Sequence, residues 1–356
     1  MRNIKNPAGF VRKRVGDLSA YSVEPIPAEV ILDANELGLA LPEKLRKKID
    51  IAIAGAPLGR YPDPEAGELR QAIAKKEGCR PGEILLGNGS DEVIQALIAA
   101  LCDPDDKIFT VTPTFSMYRQ IATYLNVETV EEELDDNWDV KSGDILMNID
   151  KACPRIIFIA SPNNPTGATF NRDALASIMN TAEGLVVIDE AYVDYAERNI
   201  GLLYEERSNV AIIRTLSKTG LAGIRLGYLL ADERLIAQVN KVRLPYNINS
   251  LTQAIATEAF NNWDMFAALF EKVKAEREKM FTKLFVLKGV TPYPSEANFI
   301  LMKIEGDTEA VFNSLIEDGV RVRWFKDARR LNDCFRVTIG TEKENDRFLK
   351  ALSGAI

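Results

Sequence analysis

The chain has 356 residues, of which 46% are apolar and 27% charged, an ordinary composition for a globular protein and enough to bury a sizeable core. Its net charge of −8, from 52 acidic and 44 basic side chains, argues against a nucleic-acid-binding surface. It has no histidine, which excludes Ser-His-Asp and Cys-His catalysis and the usual zinc sites, and leaves acid–base work to Lys, Asp, Glu, Tyr or a cofactor.

No apolar run reaches the roughly 18–20 residues that span a bilayer, and the basic N-terminus (Arg12, Lys13, Arg14) lacks the apolar core of a secretory signal. The chain therefore reads as cytoplasmic. Cys79, Cys102, Cys153 and Cys334 form no C-x-x-C pair and read as reduced and structural.

Residues 1–29, with Tyr21 and the proline-rich Glu24-Pro25-Ile26-Pro27, read as an extended arm. A short apolar run from Val30 to Leu32 ends in Asp33-Ala34-Asn35-Glu36. Helical spacing covers 42–54 and 67–77, around a turn-rich loop at 57–64. Ile84-Leu85-Leu86 leads into Gly87-Asn88-Gly89-Ser90-Asp91-Glu92 and an apolar helix to Leu101. Strand, glycine turn and helix in that order can bind an anion, or Ser90 or Asp91 can be a plain N-cap. Strand and helix then alternate. Lys107–Val111 ends at Thr112-Pro113-Thr114-Phe115, with a helix near 116–125. Arg155–Ala160 ends in Ser161-Pro162-Asn163-Asn164-Pro165-Thr166-Gly167, and a helix covers 173–183. Leu185–Ile188 ends in Asp189-Glu190-Ala191-Tyr192. Val210–Ile213 ends in Arg214-Thr215-Leu216-Ser217-Lys218, followed by a second apolar run at 224–230. This alternation predicts an α/β fold with a mostly parallel sheet flanked by helices. A long helical stretch follows at 252–287. Strands at 298–302 and 335–339 around a helix at 309–317 then predict a smaller α/β unit. The expected division is an arm at 1–29, a large domain at 30–247 and a small domain at 248–356.

Four strand ends carry polar groups that one edge of a parallel sheet can bring together: Gly89-Ser90-Asp91, Asn164, Asp189 with Tyr192, and Ser217-Lys218 with Arg225. A carboxylate at a buried strand end needs a partner such as a protonated pyridine nitrogen. A lysine in a small-residue loop can form a Schiff base with an aldehyde. Arg225, Ser217 and the Gly89 turn can hold a phosphate. Aldehyde, pyridine nitrogen and phosphate together describe pyridoxal 5'-phosphate.

On Arg60-Tyr61-Pro62, GNGSDEVI (87–94), SPNNPTG (161–167), VIDEAYVDY (187–195), TLSKTGLAGIRLGY (215–228), ANFILMK (297–303) and FRVTIGT (335–341), the chain resembles the fold-type I pyridoxal-phosphate-dependent aminotransferases, and among them the histidinol-phosphate branch. The resemblance implies that Lys218 holds the cofactor as a covalent Schiff base and shuttles the proton. It implies that Asp189 keeps the ring nitrogen protonated and that Asn164 and Tyr192 bind the phenolic oxygen. Phe115 would stack on the ring. Gly89, Ser90, Asp91, Thr215, Ser217 and Arg225 would surround the phosphate. Tyr61 would reach the neighbouring subunit's phosphate, making a homodimer obligatory. Arg336 would bind substrate carboxylate or phosphate with Arg323 as a second contact, and Tyr21 and Asn35 would line the substrate side. The implied reaction is transamination of L-histidinol phosphate with 2-oxoglutarate in histidine biosynthesis, with aromatic amino acid transamination or threonine-phosphate decarboxylation as rivals on the same scaffold. Lys218 and Arg225 are seven apart, one fewer than in many relatives, which is expected to shift how Arg225 meets the phosphate. Glu36-Leu37-Gly38 stands where relatives often carry an Asn-Pro turn.

Overall fold

The computed structural model describes residues 7–20, 26–140, 142–197, 207–326 and 328–356. In chain order it contains α1 (Lys13–Gly16), β1 (Val30–Leu32), α2 (Glu43–Gly55), α3 (Gly67–Glu77), β2 (Ile84–Asn88), α4 (Ser90–Leu101), β3 (Lys107–Thr112) and α5 (Met117–Leu125). Then come β4 (Glu128–Glu133), α6 (Ser142–Ala152), β5 (Ile156–Ala160), α7 (Arg172–Thr181), β6 (Leu185–Asp189), β7 (Val210–Thr215), β8 (Leu226–Leu230) and α8 (Glu233–Val239). The remainder is α9 (Ser250–Asn261), α10 (Ala267–Phe285), β9 (Val290–Pro292), β10 (Phe299–Ile304), α11 (Thr308–Glu317), β11 (Val320–Trp324), β12 (Cys334–Thr338) and α12 (Glu342–Ala355).

Among the described residues the larger sheet runs β2-β8-β7-β6-β5-β3-β4. Its centre, β5 (IIFIA) and β6 (LVVID), is β-branched and buried on both faces, as parallel strands covered by helices must be. Strands β3 to β7 pair in parallel, whereas β8 is antiparallel to both β7 and β2. The chain turns back after Lys218, so the start of β8 returns to the edge where β2, β5, β6 and β7 end. Leu226 pairs with Asn88, and Gly227 with Thr215. Arg225, just before β8, is placed at that edge by the reversal.

The second sheet runs β1-β11-β12-β10-β9, with β1 and β11 parallel and the other pairs antiparallel. Val30–Leu32, grouped by sequence with the large domain, is thus hydrogen-bonded into the smaller sheet, through Val30–Val320 and Leu32–Val322. Its inward residues, Val30 and Leu32, match the buried Val320 and Val322. The helical stretch expected at 252–287 is broken: α9 ends at Asn261, a 3-10 turn spans Trp263–Phe266, and α10 follows. The break lets α9 lie against α2 and α3 while α10 packs under β9. Sequence reading passed over β4 and α6. Strand β4 (ETVEEE) is an acidic edge strand with no buried residue, so it lacks the apolar signal. The arm is not wholly extended: Pro7–Phe10 is a 3-10 turn, and Arg12 before α1 donates to the Tyr124 carbonyl.

Candidate active site

Asp189 ends β6 and is 4% exposed. Its Oδ2 accepts from the Tyr118 hydroxyl at 2.7 Å and its Oδ1 from the Ala191 amide at 3.1 Å. Burial pushes its carboxyl up to about 6, against the pull of those two hydrogen bonds. Among the described residues it forms no ion pair. Tyr118 is fully buried, stacked on Phe158 at 4.9 Å, with Phe115 edge-on to it at 5.6 Å. Nothing in the motif reading singled out Tyr118. Its signal is positional: it lies in the first turn of α5, three residues after Phe115.

Lys218 lies in a 3-10 turn after β7. Its Nζ donates to the Ala34 carbonyl at 3.2 Å and sits 5.8 Å from the Tyr192 ring centre. Tyr195, buried beneath, donates its hydroxyl to the Lys218 carbonyl. Tyr192 accepts from Asn35 Nδ2 at 3.0 Å. Asn164 Oδ1 accepts from Arg336 Nη1 at 2.6 Å, and Arg336 Nη2 donates to the Asp33 carbonyl at 2.6 Å. Lys218, Tyr192 and Arg336 are thus each tied to the Asp33–Asn35 segment, with Asn164 joined through Arg336, while Asp189 ends the strand paired with β7.

The anion cradle assembles at the same edge. Gly89 caps α4 with φ 85°, and a Cβ there would fall 2.5 Å from Arg225 Nη2. Gly227, also missed by the motif reading, lets β8 pass under the start of α4: its Cβ would lie 2.4 Å from Ser90 N. Arg225 Nη1 donates to Ser217 Oγ at 3.2 Å, and Nη2 pairs with Asp91 Oδ2 at 3.3 Å. The short Lys218–Arg225 loop is taken up by a second 3-10 turn and a left-handed Arg225 (φ 53°), and the guanidinium still reaches the cradle. Thr215 Oγ1 accepts from the Ser217 amide at 3.1 Å and is buried beneath the cradle rather than open to it.

Arg336 is 9% exposed, with its guanidinium 5.4 Å from the Phe299 ring centre and 5.8 Å from that of Phe325. Arg323 pairs with it directly across β11 and β12, on the same face, and also lies 5.8 Å from Phe325. The neighbouring cations are taken: Arg321 by Asp33 at 2.8 Å, Arg329 by Glu133 at 2.8 Å, and Arg330 by Asp136 at 3.3 Å. Arg323 has no carboxylate among the described residues.

Tyr61 is 80% exposed and stacks on Tyr246 at 4.6 Å, outside the site of its own chain. Asn35, expected to line the substrate side, is 1% exposed, and all four of its polar atoms are engaged by Thr338, Asn298 and Tyr192. Tyr21 lies outside the described residues.

The model of the family described as aminotransferase class I and II matches residues 28–352. The chain belongs to the aminotransferase class I and II family. This aminotransferase is 34% identical to the histidinol-phosphate aminotransferase of Thermoanaerobacter sp. (strain X514) over 344 residues, covering 96% of this chain and 97% of that one. It is 38% identical to histidinol-phosphate aminotransferase 2 of Nitrosococcus oceani over 354 residues, 97% of each. Its fold matches the crystal structure of histidinol-phosphate aminotransferase from Sinorhizobium meliloti in complex with pyridoxal-5'-phosphate, with a TM-score of 0.89 at 22% identity and 97% of both chains covered.

The residues of the aminotransferase fit that cofactor. Asp189 is a buried carboxylate without an ion pair among the described residues, Arg225 and Ser217 beside Gly89 offer charge and donors for a phosphate, and Lys218 Nζ lies 5.8 Å from the Tyr192 ring centre. No helix among the described residues is long and apolar enough to cross a membrane, and its four cysteines are free.

Proposed function

We propose that this chain catalyses transamination between L-histidinol phosphate and 2-oxoglutarate, giving imidazole-acetol phosphate and L-glutamate, with pyridoxal 5'-phosphate held by Lys218. The observation that carries the substrate is the anion-binding pair: buried Arg336 is tied by Asn164 to the cofactor side, and Arg323 beside it has no carboxylate partner among the described residues. A planar guanidinium fork accepts the phosphate of one substrate and the carboxylate of the other, so one site serves both half-reactions. The full-length relatives named for this activity support the same reading.

Bound there, pyridoxal phosphate supplies an aldehyde for the substrate amine and an electron-withdrawing protonated ring. Asp189 holds the proton on the ring nitrogen, with Tyr118 and the Ala191 amide fixing the carboxylate. Phe115 closes one ring face, and Asn164 and Tyr192 address the phenolic oxygen. Gly89, the Ser90 amide, Ser217 and Arg225 hold the phosphate, while Thr215 orients Ser217 and Asp91 orients Arg225. Lys218 would hold the cofactor and carry the proton taken from the substrate's Cα. Histidinol phosphate has no carboxylate on Cα, so loss of the Cα proton is its productive route.

The reading includes a cytoplasmic homodimer. It is supported by the exposed Tyr61, stacked on Tyr246 beside exposed Leu58 and Leu244, as a surface made to meet a second copy. Tyr61 would then complete the partner's phosphate site.

The test is an absorbance titration of the cofactor-loaded protein with L-histidinol phosphate, L-phenylalanine and O-phospho-L-threonine in parallel. Loss of the visible band at the lowest concentration with histidinol phosphate, and its return with 2-oxoglutarate, is the expected result. Preference for phenylalanine would overturn the specificity, and carbon dioxide release from phosphothreonine would overturn the reaction type.

A further inference from the structure

Tyr192 has one proton and two directions in which to spend it. Its oxygen accepts from Asn35 Nδ2 at 3.0 Å, and among the described residues its hydroxyl donates to nothing. The direction of this bond depends on which end of the Asn35 amide faces the phenol, and the surroundings of Asn35 set that. Its backbone is held in the left-handed region (φ 55°), where Asn and Asp are tolerated. Its amide donates to Thr338 Oγ1 at 3.0 Å, and its carbonyl accepts from Asn298 Nδ2 at 3.0 Å. The Thr338 hydroxyl, having accepted from that amide, donates to Asn35 Oδ1 at 3.4 Å. Oδ1 is thereby turned to Thr338 and Nδ2 to Tyr192.

We propose that Asn35 is a positioning residue that fixes the polarity of Tyr192: by donating to the phenol oxygen it commits the phenol's own proton to the cofactor's phenolic oxygen. The relay runs Thr338 to Asn35 to Tyr192, every member 5% exposed or less, so water cannot reset its direction. It starts on β12, two residues beyond Arg336, and ends in the large domain beside Lys218. Substrate-binding strand and cofactor oxygen are thus joined by hydrogen bonds of one sense.

The proposal rests on the cofactor reading above, and its test separates the two. The holoprotein is titrated with pH and the visible band formed by Lys218 and pyridoxal phosphate is followed. A donor to the phenolic oxygen stabilises the charge left there when the neighbouring proton leaves, so losing the donor raises the apparent pKa, by about one unit or more in Tyr192→Phe. Asn35→Asp can only accept; it captures the phenol proton and shifts the pKa up as Tyr192→Phe does. Asn35→Gly keeps the left-handed backbone and takes no proton, so it shifts far less. In the double variant Asn35→Asp/Tyr192→Phe the two shifts fail to add. Wild-type titration of Asn35→Asp overturns the proposal. So does a shift that survives in full on the Tyr192→Phe background, which would be the field of the new charge alone. Should Asn35→Asp not fold, Thr338→Val releases the amide end and is expected to give a smaller upward shift; no shift there also overturns it. If wild type forms no visible band, the cofactor reading itself falls.

Discussion

Asp189 is costly to the protein without its cofactor. Its native pKa of about 6 lies above the ordinary 3.8, so the folded form holds the proton more readily than the unfolded chain between those values. Stability therefore falls as pH rises through that window, and the penalty is complete above it. Asp189→Asn keeps the acceptor for Tyr118 and removes the charge. Its apoprotein is expected to be more stable than wild-type apoprotein by roughly 3 kcal/mol at about pH 8, the gain fading towards about pH 4, by urea denaturation at both. The same variant should retain little transaminase activity, because nothing then holds the ring proton. At this scale the sequence was legible where a strand end fixes the position, as for Asp189 ending β6, Lys218 after β7 and Arg225 before β8. It was not legible where a residue acts through another. Tyr118 looks like core from its spacing, and Asn35 looks like a ligand contact because burial cannot be read from a single Asn.

Among the elements, the strand ends are clamped from below. Arg214 on β7 donates from Nε and Nη2 to Glu190 Oε2, at 3.0 and 2.7 Å, and from Nη1 to Glu77 on α3, which also accepts from Tyr228 on β8 at 2.6 Å. Burial would lower the Arg214 pKa, but Glu190, Tyr228 and Glu77 outweigh it and hold it up. Glu190 follows Asp189 and Arg214 precedes Thr215, so this network ties the end of β6 to the end of β7. Arg214→Met strips two buried carboxylates of their guanidinium and should cost roughly 3–5 kcal/mol, read by urea denaturation. Gly227→Ala should leave far-ultraviolet circular dichroism unchanged and weaken pyridoxal phosphate binding, measured by equilibrium dialysis, because its Cβ drives into the Ser90 amide. Strongly apolar elements such as β5, β6 and α4 announced themselves. Strand β4 did not, since an acidic edge carries no period, and the reversal of β8 did not, since an apolar run says nothing of direction.

For the whole molecule, the 57–64 and 241–249 loops, with their exposed aromatic and aliphatic groups, meet where Tyr61 stacks on Tyr246. Leu58 is 74% and Leu244 69% exposed, an unfavourable arrangement unless covered. Leu58→Glu/Leu244→Glu is expected to yield a monomer by light scattering, with activity lost although Lys218 and Asp189 are untouched. The presence of a second sheet was readable from sequence because the β-α alternation lapses after β8. The membership of β1 was not, because three residues carry no record of which sheet they join.

The chain passes between the two sheets at separate places: once after β1, through Asp33 to Asn35, and again where the helix breaks at Asn262. The two sheets also share apolar cores: Ile73 and Tyr228 pack in one cluster with Phe299 and Phe335, and Ile157 and Ile159 in another with Leu301 and Cys334. Asn35 sits at the first crossing, hydrogen-bonded to Thr338 on one side and Tyr192 on the other. The strand that carries Arg336 and the phenol of Tyr192 are thus spliced through a single side chain.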